Sequence, residues 1–322
     1  MTVNPFKITR GLRAAISAMA DSVSNRSANV RQPVVLITGS SSGLGLRLAH
    51  RYGKHGAKLV LCARNISALQ TAKADLIQRG SVPADADILL VACNVASPSE
   101  VSAMIDKALS CYGRVDVLIN NAGIIQVGPI ESQTVDSFRE TMQTNFFGAV
   151  HTIDALLPHM LTRGSGKIVN IASIGGKFAM PHLLPYVASK FALVGYSEGL
   201  HSELRQKGIN VTTVCPGLMR TGSHTHAKFS GDRTAEARWF SLAATTPIVA
   251  VAAQRAADQI FNAEQSNRAE ITISPQAWLA ARLVGLAPET MQTIGSLVNQ
   301  HILPSAPSPS GTHEDSGFLA SV

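Results

Sequence analysis

The sequence predicts an α/β chain built on a doubly wound parallel sheet of about seven strands. Short apolar runs alternate with stretches of helical period from residue 34 to residue 274. These runs are apolar throughout rather than at every second residue, as strands covered on both faces require. Aliphatic residues dominate and aromatics make up only 5% of the chain, which suits helices packed on a sheet better than two packed sheets.

The expected strands are residues 34–38, 58–62, 88–92, 115–120, 167–172, 209–214 and 270–274, each rich in Val, Ile and Leu. Helical period fills 44–55, 97–112 and 186–207 between them, and such alternation implies right-handed crossovers. The stretch 33–274 therefore reads as one domain. Before it, residues 1–32 read as an amphipathic helical extension, with Ile8, Leu12, Ile16, Met19 and Val23 on one side and Lys7, Arg10 and Arg13 on the other. That helix could dock on its own domain or a partner subunit, lie on a membrane surface through residues 1–30, or serve in targeting. After the domain, 275–303 reads as a helical segment, with Met291, Ile294, Leu297, Val298 and Ile302 along one side of 288–303. Residues 304–322, rich in Ser, Pro and Gly, read as a flexible tail.

Composition excludes several classes. With 322 residues, 45% of them hydrophobic and 15% charged, the chain has material for one large core. No apolar run reaches the 18 or so residues that span a bilayer. The net charge of +7 is spread along the chain without dense basic blocks, so no nucleic-acid partner is expected. Cys62, Cys93, Cys111 and Cys215 form no C-x-x-C pair and read as unpaired thiols of a reducing, cytoplasmic compartment. His224 and His226 lack an accompanying ligand motif, and no metal is expected.

The first strand runs into Thr38-Gly39-Ser40-Ser41-Ser42-Gly43-Leu44-Gly45 and a helix follows. Glycines at such a junction let the backbone approach a ligand closely, and the helix N-terminus offers unpaired N–H groups to a phosphate. The second strand ends Cys62-Ala63-Arg64. An NAD site places an acid there for the ribose hydroxyls, whereas an arginine can hold a 2′-phosphate, so NADP(H) is favoured over NAD(H). Further on, Tyr186 and Lys190 stand one helical turn apart, Ser173 follows the fifth expected strand, Asn145 lies in a helix, and Asn120-Asn121-Ala122-Gly123 ends the fourth strand.

On these residues the chain resembles the short-chain dehydrogenase/reductase family, in the branch with the T-G-x-x-x-G-x-G turn. The resemblance covers 33–274 and also takes in Pro216-Gly217-Leu218-Met219-Arg220-Thr221. It implies a Rossmann-like dinucleotide-binding catalytic domain and an NAD(P)-dependent enzyme acting on CH–OH or carbonyl groups. Tyr186 would be the general acid/base, its phenol lowered from about 10 by Lys190 and the oxidised nicotinamide ring. Ser173 would hold the substrate oxygen, Lys190 the nicotinamide ribose, and Asn145 a proton-relay water. Cofactor contacts would come from Gly39, Ser41, Ser42, Gly43, Leu44 and Gly45 in the turn, from Arg64, and from Asn94 and Val95 beside adenine. Asn121, Ala122 and Gly123 would follow on the adenosine side, with Tyr186, Lys190, Pro216, Gly217, Met219 and Thr221 towards the nicotinamide. Asn94 departs from the family pattern, which places an aspartate there.

The segment 222–242 would cover the substrate, and Phe178, Met180, Leu183 and Leu184 give its pocket an apolar wall. The expected substrate is a hydrophobic ketone or secondary alcohol. The resemblance also implies a homo-oligomer, dimer or tetramer, packed through the long helical stretches 135–163 and 186–207. The alternative is an NADP(H)-binding scaffold or sensor without turnover, which loss of Tyr186 or Lys190 would have signalled. Epimerase or dehydratase chemistry on nucleotide sugars belongs to relatives with different glycine spacing.

Overall fold

In the computed structural model, residues 32–222, 226–246 and 250–305 are described. The chain divides after Pro33, and the elements below belong to the unit that begins at Val34. The helix expected in residues 1–30 and the tail from residue 306 lie outside the described residues.

In chain order the elements begin with β1 (Val34–Thr38), α1 (Gly43–Lys54), β2 (Lys58–Ala63), α2 (Ile66–Gln78), β3 (Ile88–Ala92), α3 (Pro98–Tyr112) and β4 (Val117–Asn120). A two-residue strand, β5 (Gln126–Val127), precedes α4 (Val135–Met142), a π-helical turn (Gln143–Phe147) and α5 (Gly148–Arg163). Next come β6 (Gly166–Ile171), α6 (Leu184–Leu204), β7 (Ile209–Pro216), β8 (Met219–Arg220) and β9 (Lys228–Phe229). The chain continues with α7 (Arg233–Thr245), β10 (Val251–Ala252), α8 (Ala253–Gln265), β11 (Glu270–Ile273), α9 (Pro275–Leu286) and α10 (Pro288–His301).

Seven strands form one sheet in the order β3-β2-β1-β4-β6-β7-β11, and every neighbouring pair is parallel. All seven expected strands are present. The fourth starts two residues late, at Val117, although the Asp116 backbone still bonds Val34 and Lys167 and its carboxylate accepts the N–H of Val34 at 2.9 Å. Strand order reverses at β1, so the ends of β1, β4 and β6 open onto one crevice at a topological switch point.

Both faces of the sheet are buried, which explains the unbroken apolar runs. Val35 and Ile37 join Leu48, Tyr52, Leu69, Leu76 and Ile260 on one face. Val34 and Leu36 join Met104, Ile105, Ile153, Leu156 and Met160 on the other. Each such side chain contributes roughly 1.5–3 kcal/mol by leaving water. A polar tie crosses the first layer: the Tyr52 hydroxyl donates to Glu264 at 2.9 Å, and the same buried carboxylate pairs with Lys167 at 2.7 Å.

One expectation about helices needs correction. The stretch 135–163 is not one regular helix, since the π-helical turn at Gln143–Phe147 interrupts it. The segment after residue 274 is two helices, broken at Ala287 because the following Pro288 disfavours helical geometry there, and φ −142°, ψ 67° results. On α10 the apolar side faces largely outward, with Ile294 43%, Leu297 50% and Ile302 70% exposed. No helix among the described residues is long and apolar enough to cross a membrane.

Candidate active site

The glycine turn after β1 is held by side chains from the end of β4. The Thr38 hydroxyl accepts the N–H groups of Asn121 and Ala122, both at 3.0 Å. The Asn121 amide donates back to the carbonyls of Thr38 at 2.9 Å and Gly39 at 3.0 Å. Gly39 stands at φ 64°, and a Cβ there would come within 2.9 Å of Ala122 Cα. At Gly45 a Cβ would collide with the Gly39 carbonyl oxygen and stand 2.6 Å from the Asn121 amide nitrogen. No side chain fits at either position. Asn121, expected to face adenosine, has its amide engaged in bracing this turn.

Helix α1 begins on the turn with Ser42 at its N-cap, in extended geometry and without a side-chain cap. No acid occupies the first helical turn, and Leu44 and Gly45 are buried while Ser41 is half-buried and Ser42 exposed. The turn therefore presents uncapped N–H groups and a positive dipole end, as an anionic phosphate requires. A nicotinamide dinucleotide fits these residues: the cradle takes no Cβ and its charge is complementary.

Ser40, which sequence reasoning did not single out, is buried and links the ends of β1 and β2. Its hydroxyl accepts the N–H of Cys62 at 2.9 Å and donates to the Cys62 carbonyl at 3.3 Å. Arg64 follows β2, is exposed, and has no acid paired with it among the described residues. Beyond β3, the Asn94 side-chain oxygen accepts the N–H of Ala96 at 3.2 Å, and its own N–H donates to Glu100 at 2.9 Å. Val95 is buried, and a Cβ on Gly148 would come within 2.7 Å of its side chain.

Tyr186 and Lys190 lie in the first turns of α6, which starts at the pre-set φ of Pro185. The Lys190 ammonium lies 5.6 Å from the centre of the Tyr186 ring and donates to the Ile171 carbonyl at 2.8 Å. Burial lowers its pKa to about 8. Ser173 follows β6 with its hydroxyl oxygen accepting the Gly175 N–H at 3.0 Å, and a Cβ on Gly175 would stand 3.4 Å from both that oxygen and the Tyr186 ring. Burial raises the Tyr186 phenol above its ordinary value, with the nearby Ser173 hydroxyl opposing the rise. Lys190 does not figure in this balance, which burial dominates.

Asn145 sits in the π-helical turn, buried, with its side chain filled by partners. Its oxygen accepts the Ile124 N–H at 2.8 Å, while its nitrogen donates to the Ile124 carbonyl at 3.0 Å and the Ser189 hydroxyl at 2.9 Å. Ser189 donates in turn to the Tyr186 carbonyl at 2.7 Å. Gly123 lies between these groups: a Cβ there would stand 3.1 Å from the Asn145 oxygen and 3.8 Å from the Lys190 ammonium. Asn145, Tyr186, Lys190 and Ser173 are therefore brought together with Gly123 at the ends of β4 and β6.

Past β7, Pro216 is buried and the Gly217 N–H donates to the Ile273 carbonyl at 3.0 Å. Met219 pairs with Val251 in a two-stranded ladder, and the Thr221 carbonyl comes to 3.5 Å from where a Cβ on Gly43 would stand. The segment of Met219 and Thr221 thus passes over the glycine turn. The expected apolar wall is only partly on this side. Phe178, Met180 and Leu184 line a cavity of about 800 Å³ shared with Val284 and Met291, and neither Ser173 nor Tyr186 borders it. No cluster of metal-ligating side chains occurs among the described residues.

A model of the short chain dehydrogenase family matches residues 33–229. The chain belongs to the short-chain dehydrogenase/reductase family. Mouse dehydrogenase/reductase SDR family member 7B is 40% identical over 201 residues, 62% of this chain and 62% of that protein. The match spans 57% of the length of the related SDR family protein 7-like of Drosophila melanogaster. Among solved structures, a Burkholderia phymatum family member in complex with NAD superposes with a TM-score of 0.73 at 27% identity, covering 80% of this chain and 95% of that one. An actinorhodin polyketide ketoreductase variant with NADPH gives 0.65 at 31%, covering 75% and 95%. Family members are NAD(P)-dependent oxidoreductases, in agreement with the Rossmann-like sheet and its glycine turn.

Proposed function

We propose that this protein is an NADP(H)-dependent oxidoreductase that transfers a hydride between nicotinamide and a hydrophobic ketone or secondary alcohol. The observation that carries this reading is the grouping of Ser173, Tyr186 and Lys190 beside Gly123, on the same sheet edge as the glycine turn. When bound, the cofactor supplies or accepts the hydride at its nicotinamide ring.

The rest of the chemistry belongs to this chain. Ser173 orients the substrate oxygen through its hydroxyl, which lies close to Gly175 as the Tyr186 ring does. Tyr186, kept protonated at neutral pH by burial, donates its phenolic proton to that oxygen in reduction and recovers one in oxidation. Lys190 provides the adjacent cation and reaches the nicotinamide ribose. Asn145 holds the loop at Ile124 and the first turn of α6 in register. The glycine turn and the α1 N-terminus take the phosphates, and Asn94 and Val95 lie towards adenine.

The choice of NADP(H) rests on Arg64. The two solved relatives were complexed with NAD and with NADPH, so the family alone favours neither. An exposed guanidinium without an acid partner, at the end of β2, suits a 2′-phosphate.

The test is a screen of ketones and alcohols followed at the absorbance band of reduced nicotinamide, with NADPH and NADH in parallel. We expect NADPH-dependent reduction of apolar ketones, and loss of turnover in Tyr186→Phe with NADPH affinity retained. Cofactor binding without turnover of any compound would favour the scaffold alternative.

A further inference from the structure

Helix α7 meets the loop before Tyr186 through a buried histidine–glutamate contact that the chemistry above does not use. His182 is 5% exposed and Glu236 only 1%. The His182 Nδ1 lies 2.7 Å from Glu236 Oε1, and the other carboxylate oxygen accepts the Trp239 indole N–H at 2.6 Å. Both oxygens are engaged in a place where an unpaired carboxylate would be very unfavourable. The Trp239 ring stands 6.5 Å from the imidazole and 5.6 Å from Phe240, which in turn lies 6.2 Å from Phe229. Aromatic rings thus shield the contact.

The backbone at His182 is unusual as well. It adopts φ 62°, a left-handed conformation that residues with a Cβ seldom take unless their surroundings enforce it. Its carbonyl accepts the N–H of Gly128 at 2.8 Å, and Gly128 stands at φ 151°, where a Cβ would come within 2.8 Å of the Ser230 carbonyl oxygen. Three segments converge on this one residue: the loop leading into α6, the end of β5, and α7. His182 directly precedes Leu183 at the N-cap of α6, four residues before Tyr186.

We propose that His182 and Glu236 are positioning residues, a clasp that fixes α7 as the substrate-side wall relative to Tyr186. This rests on the oxidoreductase reading for its effect on substrate. The clasp joins segments that follow β6 and β7, whereas the glycine turn, Arg64 and Asn94 follow β1, β2 and β3. Its loss should therefore weaken binding of an apolar ketone and leave the cofactor's phosphate and adenine contacts in place.

The test compares Glu236→Ala and Glu236→Gln in the full chain. In Glu236→Ala, KM for a ketone from the screen should rise about tenfold, the loss of one buried charged hydrogen bond, while kcat changes far less. NADPH affinity, read by fluorescence titration without turnover, should hold. Glu236→Gln, which can still accept from Trp239 and donate to His182, should recover much of the lost KM. Hydrogen exchange of residues 233–245 should speed up in Glu236→Ala while β1 and β4 exchange as before. Unchanged KM and unchanged exchange, or a fall in NADPH affinity matching the rise in KM, would overturn the clasp. A wild-type protein that turns over nothing would defeat the oxidoreductase reading separately, and exchange of 233–245 would still decide the clasp. Should Glu236→Ala not fold, His182→Asn, which tolerates the left-handed backbone, carries the same comparison.

Discussion

The side-chain amide of Asn145 donates to the hydroxyl of Ser189 at 2.9 Å, joining the π-helical turn to α6 between Tyr186 and Lys190. Ser189 passes the contact to the Tyr186 carbonyl at 2.7 Å. Asn145 thus acts on the first turn of α6 through the backbone, not by touching the phenol.

Replacing Asn145 with Ala would leave the N–H and carbonyl of Ile124 without their partner. Each such group costs about 1–3 kcal/mol when water does not replace the bond. We expect Asn145→Ala to lose about 2–4 kcal/mol of stability in urea unfolding, and kcat to fall by at least about tenfold as Tyr186 loses its register. Unaltered stability would show that solvent takes over both bonds.

Lys190 gives a pH dependence whose sign is fixed. Burial lowers its pKa to about 8 in the folded protein, against an ordinary lysine value of 10.5. Between those values the unfolded chain binds more protons than the folded one, so stability rises with pH across that window. The rise is on the order of 3 kcal/mol at most. Urea unfolding from pH 7 to 10.5 should show it in the wild type, and Lys190→Met should flatten the wild-type slope over the same range.

The proposed preference for NADP(H) rests on Arg64. If its guanidinium holds the 2′-phosphate, Arg64→Ala should weaken NADPH by about 10–100-fold, the worth of a charge-assisted hydrogen bond pair, with NADH little changed. Equal losses for both cofactors, measured by fluorescence titration, would reassign Arg64 to a general surface charge.

Gly45→Ala tests the turn. The added methyl would press on the Gly39 carbonyl and the Asn121 amide, both of which are backbone or locked side chain. We expect a stability loss of about 1–3 kcal/mol, typical of overpacking, and a larger loss of NADPH affinity. Thermal unfolding with and without NADPH separates the two effects.

Much of this fold was legible in the sequence because its strands are buried on both faces, so Val34, Val35, Leu36 and Ile37 are all apolar. The proposed catalytic group was legible where its spacing is local, as for Tyr186 and Lys190 on one helix. Contacts between distant residues were not. Ser40 meets Cys62, Asn145 meets Ser189, and His182 meets Glu236 54 residues away, and none of these residue types announces its partner. The outward face of α10 was unreadable for a different reason. A helical stripe of Ile294, Leu297 and Ile302 looks the same whether it packs inward or stands in water.

The wide turn between α4 and α5 has one more effect, on helical phase. A π turn holds one residue more than the α turn it replaces, which rotates α5 by about 100° relative to the phase that α4 alone would set. On the α5 side, Ile153, Leu156 and Met160 still point into the layer beneath the sheet, while Asn145 within the turn aims at Ile124. An unbroken winding would satisfy one of these demands at the expense of the other. The extra residue lets a single rod serve two differently oriented neighbours.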